Sequence, residues 1–240
     1  MFKKVIALSV LFIIFFIGRV SAQSLDEILS KHFEIIGQKS LSLMQTLSYQ
    51  GNIIQSGTQV PVRGFIKRPN MIMTEINLQG VISKQGFDGV NGWIINPFTG
   101  DSVARPASEE ELELLMDQAD MDGLLYNYEQ KGFSVRLLGQ EDLEGQPTFV
   151  IELVKPSGNT YKYYLDARNY VILKTSTSLE YGGSPRLNEY IFSNYKKVQG
   201  ILVPFKTDIV VDKQMVVQYV FDDISFNRVI EDALFQPPAK

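Results

Sequence analysis

The chain has 240 residues, 45% of them hydrophobic and 21% charged, and a net charge of −4. That balance argues against disorder, and the absence of a basic stripe disfavours nucleic acid and electrostatic docking on anionic lipid. Cysteine is absent and His32 is the one histidine, beside 15 Phe, 11 Tyr and one Trp. Disulfides and anchoring through an N-terminal lipid-modified Cys are therefore excluded.

Residues 1–22 read as an export signal. Lys3 and Lys4 form a positive start, Val5 to Ile17 an apolar run, and Val20-Ser21-Ala22 a small-residue cleavage site. The run is shorter than the ~20 residues a membrane span needs. The mature chain is expected to start at Gln23, after cleavage behind Ala22, and to be exported to a periplasm as a soluble monomer. Residues 23–240 are read as a single domain, since no linker, fixed-period repeat or low-complexity tract divides them.

Ser24-Leu25-Asp26-Glu27 fits a capping box, followed by Leu25, Ile28, Leu29, His32, Phe33 and Ile36 at helical spacing. Gly37 breaks this helix, and Gln38 to Thr46 is expected to resume it. Strand signals begin near Tyr49 and run through Val60–Ile66, Met71–Leu78, Val81–Phe87 and Trp93–Ile95. The turns between them, such as Gln79-Gly80 and Asn91-Gly92, are too short for crossover helices, so the pairing is antiparallel.

Ser108-Glu109-Glu110-Glu111 is a second capping box, with Leu112, Leu115, Met116 and Ala119 lining one helix face. After Asp122-Gly123, residues Leu124, Leu125, Tyr126 and Tyr128 suggest a second short helix. This insertion is either a core helix plugging one end of the sheet or a movable lid. A second block of strands alternates strictly. Phe149, Ile151 and Leu153 share a face, as do Tyr161, Tyr163 and Leu165; Phe205, Thr207 and Ile209; and Met215, Val217, Tyr219 and Phe221. The predicted fold is mainly β with some α: a large curved antiparallel sheet of about ten strands that must close or pack on helices to cover its apolar side. So few helices leave an apolar cavity beneath a helical plug.

The segments Gly64-Phe65-Ile66-Lys67-Arg68-Pro69-Asn70 and Phe87-Asp88-Gly89-Val90-Asn91-Gly92-Trp93-Ile94-Ile95-Asn96-Pro97-Phe98 resemble the periplasmic lipoprotein carrier family, the LolA-like superfamily. Asn194-Tyr195-Lys196-Lys197-Val198-Gln199-Gly200-Ile201-Leu202-Val203-Pro204 and Leu234-Phe235-Gln236-Pro237-Pro238 fit the same pattern. The chain departs from it at Met71-Ile72-Met73-Thr74, where aromatics are common, and at Lys240, beyond which carriers of the family usually continue. The resemblance implies an unclosed half-barrel with a helical lid over a hydrophobic cavity. It further implies binding of the acyl chains of a lipoprotein or lipid, passed from an inner-membrane exporter to an outer-membrane acceptor. It also implies that Arg68 hydrogen-bonds lid carbonyls and holds the empty cavity shut.

Candidate ligand-binding residues are Trp93, Phe149, Ile151, Tyr161, Tyr163, Phe205 and Tyr219 on the sheet. On the lid they are Leu112, Leu115, Met116, Met121, Leu124 and Leu125. No catalytic residue, metal ligand or cofactor is expected. Gly-x-Ser-x-Gly, His-Glu-x-x-His and phosphate-loop motifs are all missing, His32 reads as a core residue, and Asp222 and Asp223 point to opposite faces of a strand. An envelope sensor or scaffold that uses the same cavity is the alternative function, with an envelope hydrolase behind it.

Overall fold

The computed structural model describes residues 23–181 and 184–238; the expected export signal lies outside them. Two helices open the described chain, α1 (Leu25–Ile36) and the single turn α2 (Gln38–Leu41). Both halves of the Ser24/Glu27 capping box form, and Ile28, Leu29 and His32 make the buried stripe of α1. Gly37 ends the helix at φ +77°, and a Cβ there would lie 2.7 Å from the Gly200 carbonyl oxygen. Only glycine meets both conditions. Beyond α2 the chain turns and enters β1 at Thr46, so the expected helix from Gln38 to Thr46 lasts one turn.

The strands are β1 (Thr46–Gln55), β2 (Thr58–Lys67), β3 (Met71–Leu78), β4 (Val81–Phe87), β5 (Gly92–Asn96) and β6 (Asp101–Pro106). After α3 (Glu109–Ala119) come β7 (Ser134–Leu143), β8 (Gln146–Val154), β9 (Thr160–Asp166), β10 (Ile172–Tyr181), β11 (Ser184–Val198), β12 (Ile201–Val211) and β13 (Gln214–Phe226). All thirteen form one sheet in the order β6-β5-β4-β3-β2-β1-β13-β12-β11-β10-β9-β8-β7. Every pairing is antiparallel.

The order has one consequence for function. Two meanders are joined through β1 and β13, and β6 and β7, consecutive in sequence, stand at opposite edges. The two edges do not pair, so the barrel stays open. The connection through residues 107–133, with α3, must cross from one edge to the other. That topology, more than its own apolar face, makes the segment a cover. Bulges at Gln50/Gly51, Leu137/Gly139, Ile172/Lys174 and Ile209/Val210 interrupt the ladders and bend and twist their strands. The second helix expected over residues 124–128 is a series of turns.

Among the described residues, no helix is long and apolar enough to cross a membrane.

Candidate functional site

The sheet's concave face is filled unevenly. Beneath α1 and the 124–133 segment lies a dense cluster of Phe149, Ile151, Leu153, Tyr161, Tyr163 and Leu165 against Ile28, Leu29 and Leu125, with Leu124 packed at its edge. A second cluster seals Phe205 and Ile201 against Leu41 and Met121. A third places Leu115 and Ala119 of α3, with Leu112 beside them, on Ile72 and Phe87. Met116 is the exception on the lid helix. It lies one step round from Leu115 and is 47% exposed, because Ala119 takes the next inward place on the stripe.

Trp93 must be removed from the set of cavity residues. It packs on the outer face of the sheet with Met73, Ile230 and Phe235, while Ile72, one residue from Met73, packs on the concave side. Its indole Nε1 donates to the Phe235 carbonyl at 2.7 Å. A strap over residues 227–238 covers this face, pinned where Lys67 Nζ donates to the Ile230 carbonyl at 2.7 Å. Trp93 emission is therefore expected to stay unchanged when an acyl ligand enters. Phe235→Ala, which removes a fully buried ring, is expected to red-shift it and cost about 3–5 kcal/mol in urea unfolding. An acyl-induced change in Trp93 emission as large as that shift would contradict this placement.

One unfilled part of the concave face is a cavity of about 410 Å³ between β1–β4 and β11–β13, with Gln118 of the lid at its margin. Of the residues singled out from sequence, only Tyr219 lines it. The other walls are Tyr49, Ile66, Ile72, Thr74 and Ile76 on one side, and Tyr190, Thr207, Ile209 and Phe221 on the other. Their signal was present as period-2 alternation: Ile72, Thr74 and Ile76 share one parity, as do Thr207 and Ile209. Tyr49 lies flat across Gly64, where any Cβ would fall 2.1 Å from its ring, and its hydroxyl meets Thr74 Oγ1 at 3.0 Å. A smaller pocket of about 240 Å³ opens beside it, between the lid loop, His32 and Tyr163. His32 Nδ1 donates to the Tyr170 carbonyl at 2.7 Å, and burial lowers the imidazole pKa, so the ring is a neutral core group.

The cover is held by ions at each end. At one end Arg68 Nη1 and Nη2 donate to the Asp122 carboxylate at 2.5 and 2.9 Å. Its Nε donates to the Met44 carbonyl at 2.7 Å and Nη2 to Leu41 at 3.2 Å. The acceptor on the cover is thus a side-chain carboxylate, and the backbone carbonyls belong to α2 and its turn, not to residues 108–128. Gln38 Nε2 and Ser42 Oγ also donate to Asp122, at 2.8 and 3.1 Å. Burial pushes the Asp122 pKa up, but the Arg68 hydrogen bonds and charge outweigh it, with Ser42 adding to them, and the net shift is downward.

At the other end Lys155, its side chain only 9% exposed, bridges Glu113 at 2.5 Å and Asp117 at 2.8 Å. Tyr161 donates its hydroxyl to Asp117 at 2.6 Å, and Ser157 and Asn159 donate to Glu113. Arg105 holds Glu111 bidentately, and Lys131 holds Asp120. Five acids between positions 111 and 122 therefore each meet a cation from outside α3. Among the described residues no group of His, Asp and Glu could hold a metal ion.

No known family profile and no curated protein matches the sequence. Solved structures share its architecture. A LolA superfamily protein from Nitrosomonas europaea superposes with a TM-score of 0.60 at 13% identity, over 90% of this chain and 98% of that one. A putative outer membrane lipoprotein-sorting protein domain from Vibrio parahaemolyticus gives 0.56 at 15% identity, over 86% and 96%. A DUF1329 family protein from Desulfovibrio piger gives 0.58 at 12% identity, over 87% and 97%. The chain thus has the unclosed half-barrel fold of the LolA superfamily.

Proposed function

We propose that the protein is a periplasmic carrier that shelters acyl chains of lipoproteins or lipids in its concave cavity and moves them toward the outer membrane. The observation that carries this reading is the apolar cavity of about 410 Å³ left open under a cover that ion pairs hold in place. A packed scaffold would have filled that space, since protein interiors are normally close-packed. Burying ~15 methylenes at ~0.8 kcal/mol each gives roughly 12 kcal/mol, near nanomolar binding. A carrier must also let go. A cover that closes on the empty cavity lowers the net affinity by its opening cost. The lipoprotein-sorting description of the Vibrio domain, on the same fold, agrees with this function.

The test is native mass spectrometry of protein recovered from the export compartment, with lipid extraction, followed by titration with a fluorescent acyl probe. Copurifying acyl species and saturable probe binding are expected. A ligand-free protein that binds no probe would replace the carrier by a scaffold.

A further inference from the structure

We infer that the open cavity takes one single-chain lipid with an uncharged, hydrogen-bonding head, of the monoacylglycerol class, and does not take two or three acyl chains. This rests on the carrier reading and narrows its cargo to single-chain lipids, setting multi-chain lipoproteins aside. A methylene occupies about the volume of a water molecule, ~30 Å³. A cavity of about 410 Å³ therefore has room for roughly fourteen, which is one chain. The smaller pocket of about 240 Å³ under the lid loop adds room for roughly eight more, short of a second chain, and elsewhere α1, α2 and α3 already pack against the concave face. One chain needs only the Arg68–Asp122 end of the cover to yield; a second would have to expel the cover whole.

Charge sets the head. The single ionisable cation or acid among the wall residues is Lys84. Lys84 pairs in register with Glu75, and the alternation of β4 turns its side chain to the outer face while Ser83 and Gln85 face inward. Its ammonium is held there by Glu75 at 3.0 Å, which also binds Arg63 at 2.8 Å. No countercharge is left to meet a carboxylate or phosphate taken out of water, which is costly. Neutral polar groups are available. The side chains of Gln85, Gln118 and Thr207 line the cavity from three different elements and make no hydrogen bond to protein among the described residues. Each can both donate and accept, as a diol head can.

The experiment is displacement of a fluorescent acyl probe from the full mature protein at pH 8. The competitors are 1-palmitoylglycerol, palmitate, palmitoyl lysophosphatidylcholine and dipalmitoylglycerol, each below its aggregation limit. Palmitoylglycerol is expected to bind one to one and at least tenfold tighter than palmitate or the lysolipid, and dipalmitoylglycerol to displace nothing. Ile209→Trp, which fills the cavity from its wall, should abolish displacement with an unchanged melting temperature. Thr207→Val should weaken palmitoylglycerol three- to tenfold and leave palmitate alone. Equal or tighter binding of palmitate, or displacement by dipalmitoylglycerol, would overturn the inference while the carrier reading stands. Failure of every acyl compound to bind would overturn both.

Discussion

Arg68→Leu is expected to destabilise the empty protein by about 3 kcal/mol and to tighten acyl binding ten- to hundredfold. The substitution keeps bulk but removes all four hydrogen bonds from the guanidinium. It leaves Asp122, whose side chain is 16% exposed, with Gln38 and Ser42 as neutral partners. Breaking one partner of such a pair costs more than the pair contributed, because the remaining charge is stranded. The affinity gain has a separate origin. In the empty protein the Arg68–Asp122 pair ties the end of the cover to the turn after α2, and a ligand that needs the cover to move must first undo it. Removing the tie raises the population ready to bind.

The pH dependence follows from the same pair. Asp122 has a depressed pKa in the folded state, so its contribution is fully present above the unfolded value of ~3.9 and is lost as pH falls through the folded value. Wild type should therefore lose stability on acidification through this window more steeply than Asp122→Asn. Urea unfolding of wild type, Arg68→Leu and Asp122→Asn at pH 7 and at about pH 2.5, with probe affinity at pH 7, measures both effects. Equal stability and affinity for wild type and Arg68→Leu at pH 7 would reduce Arg68 to a turn residue.

Much of this architecture was legible because strict alternation and turn chemistry agree. Met71–Leu78 and Val81–Phe87 form with the boundaries their patterns suggest, and both capping boxes form. Two strands stayed hidden for a physical reason. β6 and β7 are the sheet edges, each with one neighbour; β6 carries no apolar stripe, and β7 keeps only a short one of Val135 and Leu137 before its charged end. In β7 the bulge at Leu137/Gly139 also shifts the parity midway, so no single period describes it. Trp93 misled because a one-faced sheet was assumed. Its own face is apolar too, and the strap that buries it comes from residues far along the chain. The aromatics Phe149, Tyr161 and Tyr163 of β8 and β9 share the face on which α1 packs, and α1 fills the space above them. Which part of an apolar face stays empty depends on where helices land, and alternation alone carries no record of that. Asp122 escaped notice for the same reason: its partner Arg68 is brought to it only when the edges are spanned.

The other end of the cover should respond differently to acid. Lys155→Met is expected to cost about 3 kcal/mol at pH 7, because it removes the shared cation of Glu113 and Asp117 and strands both carboxylates against the sheet. The ammonium lies largely buried, so solvent cannot replace it, whereas the Met side chain preserves the packing of the stem. In wild type, burial raises the Glu113 pKa but the Lys155, Asn159 and Ser157 hydrogen bonds and the Lys155 charge outweigh it, and the net shift is downward. Its contribution is therefore present above the unfolded value of ~4.3 and lost as pH falls through the folded one. Without Lys155 the balance reverses: burial and the neighbouring carboxylate then favour the protonated acid, so acidification relieves the variant while it weakens wild type. The stability gap between the two should narrow as pH falls from 7 to 4. Tyr161, whose pKa burial and its bond to Asp117 both raise, stays protonated throughout and keeps donating to Asp117. The loosened cover should also be cut faster by protease within residues 107–133 at pH 7, with Lys155→Met/Arg68→Leu cut faster than either single variant. Urea midpoints across pH and the cleavage map measure both. A gap that stays constant from pH 7 to 4, with cleavage no faster than wild type, would show that α3 is held by its apolar face on Ile72 and Phe87 and not by the Lys155 ion pairs.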